Sequence, residues 1–158
     1  IQINQDNIIS AQTSYQILSI LRGAVERGTG KSLNSIKYPI AGKTGTTNDS
    51  KDLWFFGLTP KFVVGVYVGY DNPKKIGYKE TGSSVALPIF KSFMESYLEI
   101  EKDKDIDFFI PDDIILKKID PDTGIFENEK SSIFEYFTKD QLETINNLNK
   151  VSTIGGIN

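Results

Sequence analysis

The chain has 158 residues and a net charge of −3, with 39% hydrophobic and 25% charged residues, which suits one globular domain or one domain with a tail. It has no cysteine, which excludes disulfides, thiol nucleophiles and cysteine-ligated metals, and no histidine, which excludes a serine–histidine pair within it. A general base drawn from these residues must be a lysine, a carboxylate or a tyrosine. No run approaches the ~20 apolar residues needed to span a bilayer, and no basic-then-apolar leader opens the sequence. The first residue is not methionine and the sole methionine is Met94, so the sequence reads as an internal or C-terminal piece of a longer protein.

Residues 1–9 read as an irregular or strand-like lead-in. Ser10 is placed to cap a helix. From Ala11, Tyr15, Leu18, Leu21 and Val25 recur at helical intervals, and Gly28 ends the run as a left-handed cap would. Residues 28–38 connect this helix to three strands, at about 38–46, 53–59 and 62–70, which are rich in aromatic and β-branched residues. The short Thr59-Pro60-Lys61 link makes the second and third strands an antiparallel hairpin. Phe62, Val64, Val66 and Val68 fall on one face of the third strand, and Val63, Gly65, Tyr67 and Gly69 on the other. Both faces are fairly apolar, which predicts a sheet covered on each side. After a glycine- and lysine-containing loop at 71–83, a helix is expected from about Ser84 to Tyr97, packed through Val85, Ile89, Phe93 and Tyr97 with Leu87, Phe90 and Met94 alongside. Pro88 sits in its first turn, where proline is tolerated.

The charge then changes. Residues 1–100 carry eleven Lys/Arg and eight Asp/Glu, while residues 101–158 carry seven and thirteen, so a boundary is expected near residue 100. Beyond it, the apolar clusters from Phe108 to Phe126 predict one hairpin. Asp120, Asp122 and Glu129 resemble a calcium loop, but Gly124 falls at the fifth position rather than the required sixth, so an ordinary turn is expected. Residues 138–158 are polar and asparagine-rich, and are expected to fray.

The stretch with the most chemistry is Pro39-Ile40-Ala41-Gly42-Lys43-Thr44-Gly45-Thr46-Thr47-Asn48-Asp49. In an extended strand Lys43 and Gly45 share one face, and Thr44 and Thr46 the other. A twist or bulge beside Gly45 would turn Lys43, Thr44 and Thr46 toward one cleft. An ammonium, two hydroxyls and a free backbone N–H make a receptor for a carboxylate next to an acyl group. The bland alternative is an edge strand in which Lys43 discourages edge pairing. A phosphate loop is rejected, because the glycine it needs five positions before Gly42 is Lys37 and a polar turn follows instead of a helix.

The ordered set Ala41 to Asp49, then Asp52-Leu53-Trp54-Phe55-Phe56-Gly57-Leu58-Thr59-Pro60, then Gly65-Val66-Tyr67-Val68-Gly69-Tyr70-Asp71, closely resembles the penicillin-binding transpeptidases, best the bifunctional class A type. Gly28-Thr29-Gly30 and Ala86-Leu87-Pro88-Ile89-Phe90 add to the resemblance, which covers about residues 11–100. It implies an α+β fold, an antiparallel sheet flanked by helices, forming the C-terminal lobe of a penicillin-binding or serine β-lactamase-like domain. Residues 1–100 would be the C-terminal portion of the transpeptidase domain, and 101–158 an acidic extension. It implies acyl transfer: an upstream serine attacks the penultimate D-alanine carbonyl of a stem peptide, D-alanine leaves, and an amine on a neighbouring stem takes the acyl group. Lys43 would hold the substrate carboxylate and polarise the hydroxyl network, and Thr44 and Thr46 would donate hydroxyl hydrogen bonds to that carboxylate. The backbone N–H of Thr46 would supply half the oxyanion hole, and Gly45 would let substrate lie along the strand. Asp52 and Trp54 match the pattern but read more simply as a turn contact and sheet packing.

The implied partners are peptidoglycan stem peptides, β-lactams and the upstream half of the same domain, with no nucleic acid, cofactor or metal. The implied location is the periplasmic or extracytoplasmic face of the bacterial inner membrane. The departure from the family is that no serine has a lysine three residues later, so the nucleophile and its lysine base are absent and the chain alone should be inactive. Ser32-Leu33-Asn34 fits the family's Ser-x-Asn pattern, but only nine residues before Lys43 rather than far upstream, and reads as coincidence. Two other readings stand beside the transpeptidase lobe: a non-catalytic binding module that keeps the sheet, and a serine β-lactamase fragment. An upstream Ser-x-x-Lys favours the first reading, its absence the second, and rapid hydrolysis of the acyl-enzyme the third.

Overall fold

The computed structural model describes residues 8–102, 105–127 and 131–154, without the side chains of 148–154. It is α+β, with antiparallel sheets and helices, as expected. Contacts divide the chain into two compact units, Ile20–Phe109, and Ile1–Ser19 with Ile110–Asn158.

Helix α1 spans Ala11–Glu26 and is capped as expected: the Ser10 hydroxyl accepts the Thr13 N–H at 3.0 Å. Its end differs from expectation, because Gly28 is not left-handed. The last carbonyls are met otherwise, Ala24 C=O by the Gly30 N–H at 3.0 Å and Glu26 C=O by the Asn34 side-chain amide at 3.0 Å. In the Ser32-Leu33-Asn34 stretch, then, Leu33 is in the core and Asn34 caps a helix.

Within Ile20–Phe109, three strands form one antiparallel sheet in the order β1 (Ala41–Thr46), β2 (Asp52–Leu58), β3 (Val63–Gly69). The register is unbroken, from Ala41↔Leu58 to Thr46↔Leu53 and from Asp52↔Gly69 to Leu58↔Val63. The hairpin turn is held by Thr59, whose hydroxyl accepts the Phe62 N–H at 3.0 Å. Helix α2 spans Leu87–Ile100 and is entered through one wide π turn at Gly82–Ala86. A capping box starts that turn: Thr81 Oγ1 accepts the Ser84 N–H and Ser84 Oγ accepts the Thr81 N–H.

Helix α2 lies on the sheet through Leu87, Phe90 and Met94, all fully buried, rather than through the expected Val85–Tyr97 stripe, in which Ile89 and Phe93 are exposed. The reason is on the sheet. A Cβ at Gly57 would stand 2.2 Å from the Phe90 ring, so glycine there admits Phe90 and selects this face of the helix. Phe55 meets Phe90 at 4.9 Å between ring centroids, and Val25, Leu33, Tyr38 and Ile40 close the core around them. Burial of each large apolar side chain is worth ~2–3 kcal/mol.

The opposite face of the sheet is open among the described residues. Trp54, Phe56, Val63 and Tyr67 are exposed, so the expectation of cover on both sides is not met. Periodicity reports only that a face is apolar, and this face is apolar without being covered by these residues.

In the second unit, β4 (Ile114–Ile119) pairs antiparallel with β5 (Ile133–Thr138), from Ile114↔Thr138 to Ile119↔Ile133. The hairpin is therefore wider than the expected Phe108–Phe126 one. Asp120–Phe126 is the first part of its connection, closed by an Ile119↔Phe126 bridge. Asp120 makes the ordinary turn expected, its Oδ1 accepting the Asp122 N–H, the Thr123 N–H and the Thr123 hydroxyl. Glu129, the third carboxylate of the rejected calcium loop, lies outside the described residues.

Of the tail expected to fray, Lys139–Ile154 forms helix α3 instead, and residues 155–158 lie outside the described residues. Thr138 and Gln141 form its capping box: Thr138 Oγ1 accepts the Gln141 N–H at 3.3 Å and Gln141 Oε1 accepts the Thr138 N–H at 3.0 Å. Gln16 of α1 donates to Tyr136 C=O at 2.8 Å and to Gln141 Oε1 at 2.7 Å, and Tyr15 packs edge-on against Tyr136.

Candidate functional site

Strand β1 lies at the edge of its sheet, and the alternation of its ladder sets what that edge offers. The Thr47 N–H bonds to Asp52 C=O at 3.0 Å, which makes Thr47 a hydrogen-bonded position of the antiparallel pair. Successive positions alternate, so Lys43 and Gly45 bond to β2. The backbone N–H and C=O of Thr44 and Thr46 point to the side of β1 that carries no strand among the described residues.

The side chains alternate at right angles to that. Lys43 and Gly45 share the open face with Phe56 and Trp54, which stand opposite them in the register, while Thr44 and Thr46 share the face that α2 covers. No bulge interrupts β1, so the expected turning of Lys43, Thr44 and Thr46 into one cleft by a bulge is not what occurs. The Lys43 side chain instead curls around the strand edge and donates from Nζ to Thr44 C=O at 2.9 Å. The ammonium thus sits at the free edge, exposed, and makes no ion pair among the described residues.

Two neighbours fix the threonines. Thr44 Oγ1 is 3.1 Å from Thr29 Oγ1, and Thr46 Oγ1 accepts the Gly82 N–H at 3.0 Å. Gly82 lies directly on the backbone: a Cβ there would be 2.3 Å from Trp54 C=O and 2.6 Å from Gly45 C=O. Thr29 stands in a stretch quoted for the resemblance and Gly82 in the glycine- and lysine-containing loop, yet nothing local in the sequence gives either a role. Each acts through a contact 15 or 36 residues away along the chain.

Asp52 is the turn contact expected. Its N–H donates to Thr47 Oγ1 at 2.9 Å, and its Oδ1 accepts the Tyr67 hydroxyl at 2.8 Å. That hydrogen bond, more than burial or charge, pushes the Tyr67 phenol up from its ordinary value. Trp54 is not simply packed in the sheet. It stacks on Phe56 at 5.5 Å and meets the Tyr67 ring at a tilt of 43° and 4.6 Å across the open face, where the three residues are 36%, 46% and 48% exposed. No cluster of three or more metal-ligating side chains occurs among the described residues, and no helix of these residues is long and apolar enough to cross a membrane.

Residues 2–95 match the family of the penicillin binding protein transpeptidase domain. Similar relatives include penicillin-binding protein 1A of Rickettsia bellii, 50% identical over 117 residues, and penicillin-binding protein 1A of Pseudomonas aeruginosa, 44% identical over 121 residues. These matches cover 74% and 75% of this chain and 14% of each relative, so the chain spans about one seventh of the length of the relatives it matches. A crystal structure of penicillin-binding protein 1A from Haemophilus influenzae superposes with a TM-score of 0.74 at 31% identity, covering 85% of this chain and 21% of that one.

Proposed function

We infer, for a chain that belongs to the penicillin-binding protein transpeptidase family, that it forms the C-terminal lobe of a peptidoglycan D,D-transpeptidase, followed by an acidic extension. The observation that carries this is the free edge of β1. It offers an exposed ammonium at Lys43 beside the outward backbone groups of Thr44 and Thr46. A stem peptide adding as a strand would pair with that edge. Its carboxylate would meet Lys43 and the threonine hydroxyls, and its scissile carbonyl oxygen the Thr46 N–H, as half an oxyanion hole.

The nucleophile is a serine supplied from upstream, and two balanced transfers follow. The serine oxygen bonds to the penultimate carbonyl carbon as its proton passes to a base, and D-alanine leaves with a proton. The acceptor amine then attacks the ester, an amide forms, and the serine oxygen regains a proton. Penicillin enters by the first step, when its lactam amide opens onto the serine. The upstream half of the domain would cover the open face, where Trp54, Phe56 and Tyr67 lie bare beside Lys43; a patch of that kind marks a contact surface. The activity belongs on the periplasmic or extracytoplasmic side of a bacterial inner membrane, where peptidoglycan is cross-linked.

The test uses the upstream segment of the domain and this chain as separate polypeptides, and also the two joined, with a fluorescent penicillin. The expected outcome is covalent label on the upstream serine only when this chain is present. Lys43→Ala should lower the labelling rate by at least a hundredfold with the fold intact by circular dichroism, the size of losing one preorganised electrostatic contact. Labelling that ignores Lys43→Ala, or label on this chain itself, overturns the assignment.

A further inference from the structure

The loop between β3 and the turn into α2, residues 70–81, is tied to the site at its middle and just beyond its end. The Ile76 N–H donates to Ser50 C=O at 3.1 Å, in the turn that follows β1, and Gly82 donates to Thr46. On either side of the Ile76 tie the loop presents a lysine against an exposed tyrosine: Lys74 Nζ is 4.2 Å from the Tyr70 ring centroid and Lys79 Nζ is 5.3 Å from that of Tyr78. Lys75 is exposed beside them. Of the loop's two carboxylates, Glu80 is engaged by the Ser84 hydroxyl at 2.6 Å, and Asp71 stands at the far end.

The backbone adds a second signal. Among the described residues only Asp49, Ser50, Lys79 and Asp113 are non-glycine residues with positive φ, and three of these four lie on the two loops that rim β1. Aspartate tolerates that conformation, but for a lysine, at φ 60°, it is costly. Strain of this kind is retained where the surroundings enforce it, and it clusters at ligand-binding positions. Among the described residues no structural partner of the Lys79 ammonium other than the Tyr78 ring explains its retention.

We propose that this loop is the acceptor-side subsite: Lys79, with Lys74, holds a free carboxylate of the acidic stem peptide whose amine attacks the acyl-enzyme. This rests on the transpeptidase reading and names the second substrate's contact. A tyrosine face lies under each ammonium, and the tie to Ser50 keeps the loop at the end of β1 where the acyl carbon would lie. The contact acts after acylation, so it leaves the first step alone and decides whether the acceptor amine or water takes the acyl group.

The joined domain is assayed in two ways, by the rate of labelling with fluorescent penicillin and by the ratio of cross-linked to hydrolysed product from a synthetic stem peptide donor and acceptor. The variant is Lys79→Asn, because asparagine accepts the left-handed conformation while the ammonium and its stem are removed. Lys79→Asn with Lys74→Ala should lower the product ratio about fivefold through a higher acceptor KM, with labelling unchanged within twofold. Lys79→Arg should restore the ratio. In the unsubstituted domain the acceptor KM should rise with salt between 50 and 500 mM, and in the double variant it should be flat. An unchanged ratio in the double variant overturns the proposal, as does a loss of labelling with it, which would place the loop on the donor side. If the unsubstituted domain takes no label at all, it is the transpeptidase reading that fails.

Discussion

Thr46 has its hydroxyl committed to Gly82 and its backbone turned to the open edge, so its geometry depends on a residue 36 positions away. That makes Gly82→Ala the sharpest single probe of the site's support. The added methyl would meet the Gly45 and Trp54 carbonyls at 2.6 and 2.3 Å, both backbone atoms that cannot swing aside. Overpacking of this kind costs ~1–3 kcal/mol, and the shift must be taken by β1 or by the turn into α2. In the joined domain Gly82→Ala is expected to lower the denaturant midpoint and to slow penicillin labelling at least tenfold, whereas Gly77→Ala, in the same loop but away from the strand backbone, should change labelling less than twofold. Equal effects would mean that Gly82 acts through the loop and not through Thr46. Lys43, Thr44, Gly45 and Thr46 stand out by residue type, but an edge strand accounts for them equally, and it is the resemblance that makes them a candidate site. Thr29 and Gly82 could not, because a close approach between distant segments leaves no local mark in a sequence.

At the scale of elements, the strands and both long helices of the first hundred residues follow from spacing and turn residues, to within a few positions. What periodicity does not carry is which apolar face is covered. Helix α2 is apolar on two sides, and Gly57 chooses Phe90 over Phe93. The sheet is apolar on both sides, and only one is filled by these residues. Helix α3 was legible in principle, because Thr138-Lys139-Asp140-Gln141 is a capping-box signature, but its asparagine-rich continuation outweighed that cue. The β4–β5 connection gives this scale its prediction. Hydrogen bonds from the Thr123 hydroxyl first, then from backbone N–H groups, hold the Asp120 carboxyl below the usual carboxylate range. A carboxylate whose folded pKa is depressed adds stability above its unfolded value of about 4, and that stability is lost as pH falls through the lower folded value. The melting temperature of the chain should therefore exceed that of Asp120→Asn at about pH 6, and the two should converge by about pH 2. A gap that stays constant across that range would show that the difference does not come from the ionisation of Asp120.

At the scale of the molecule, composition and contacts divide the chain at different places. The charge balance changes near residue 100, whereas contacts carry the first unit to Phe109. The nine intervening residues decide between them. Ile106 packs against the core that contains Phe90 and Met94. Arg22 reaches Asp107 at 3.4 Å and faces the Phe108 ring at 5.9 Å, and Glu101 pairs with Lys61 at 3.0 Å. Half-burial of an isoleucine is worth ~1 kcal/mol, and each exposed ion pair contributes ~0–1 kcal/mol. Chains ending at residue 100 and at residue 109 lose β4, β5 and α3 alike, so their difference isolates this segment. The shorter chain should be less stable by ~2 kcal/mol, which lowers the melting temperature of a domain of this size by roughly 8 °C or more. Raising the salt to 1 M should remove only the ion-pair share and leave the larger part, because apolar burial is not screened. Equal melting of the two chains would return the boundary to residue 100, and make residues 101–109 part of the acidic extension and not of the transpeptidase lobe.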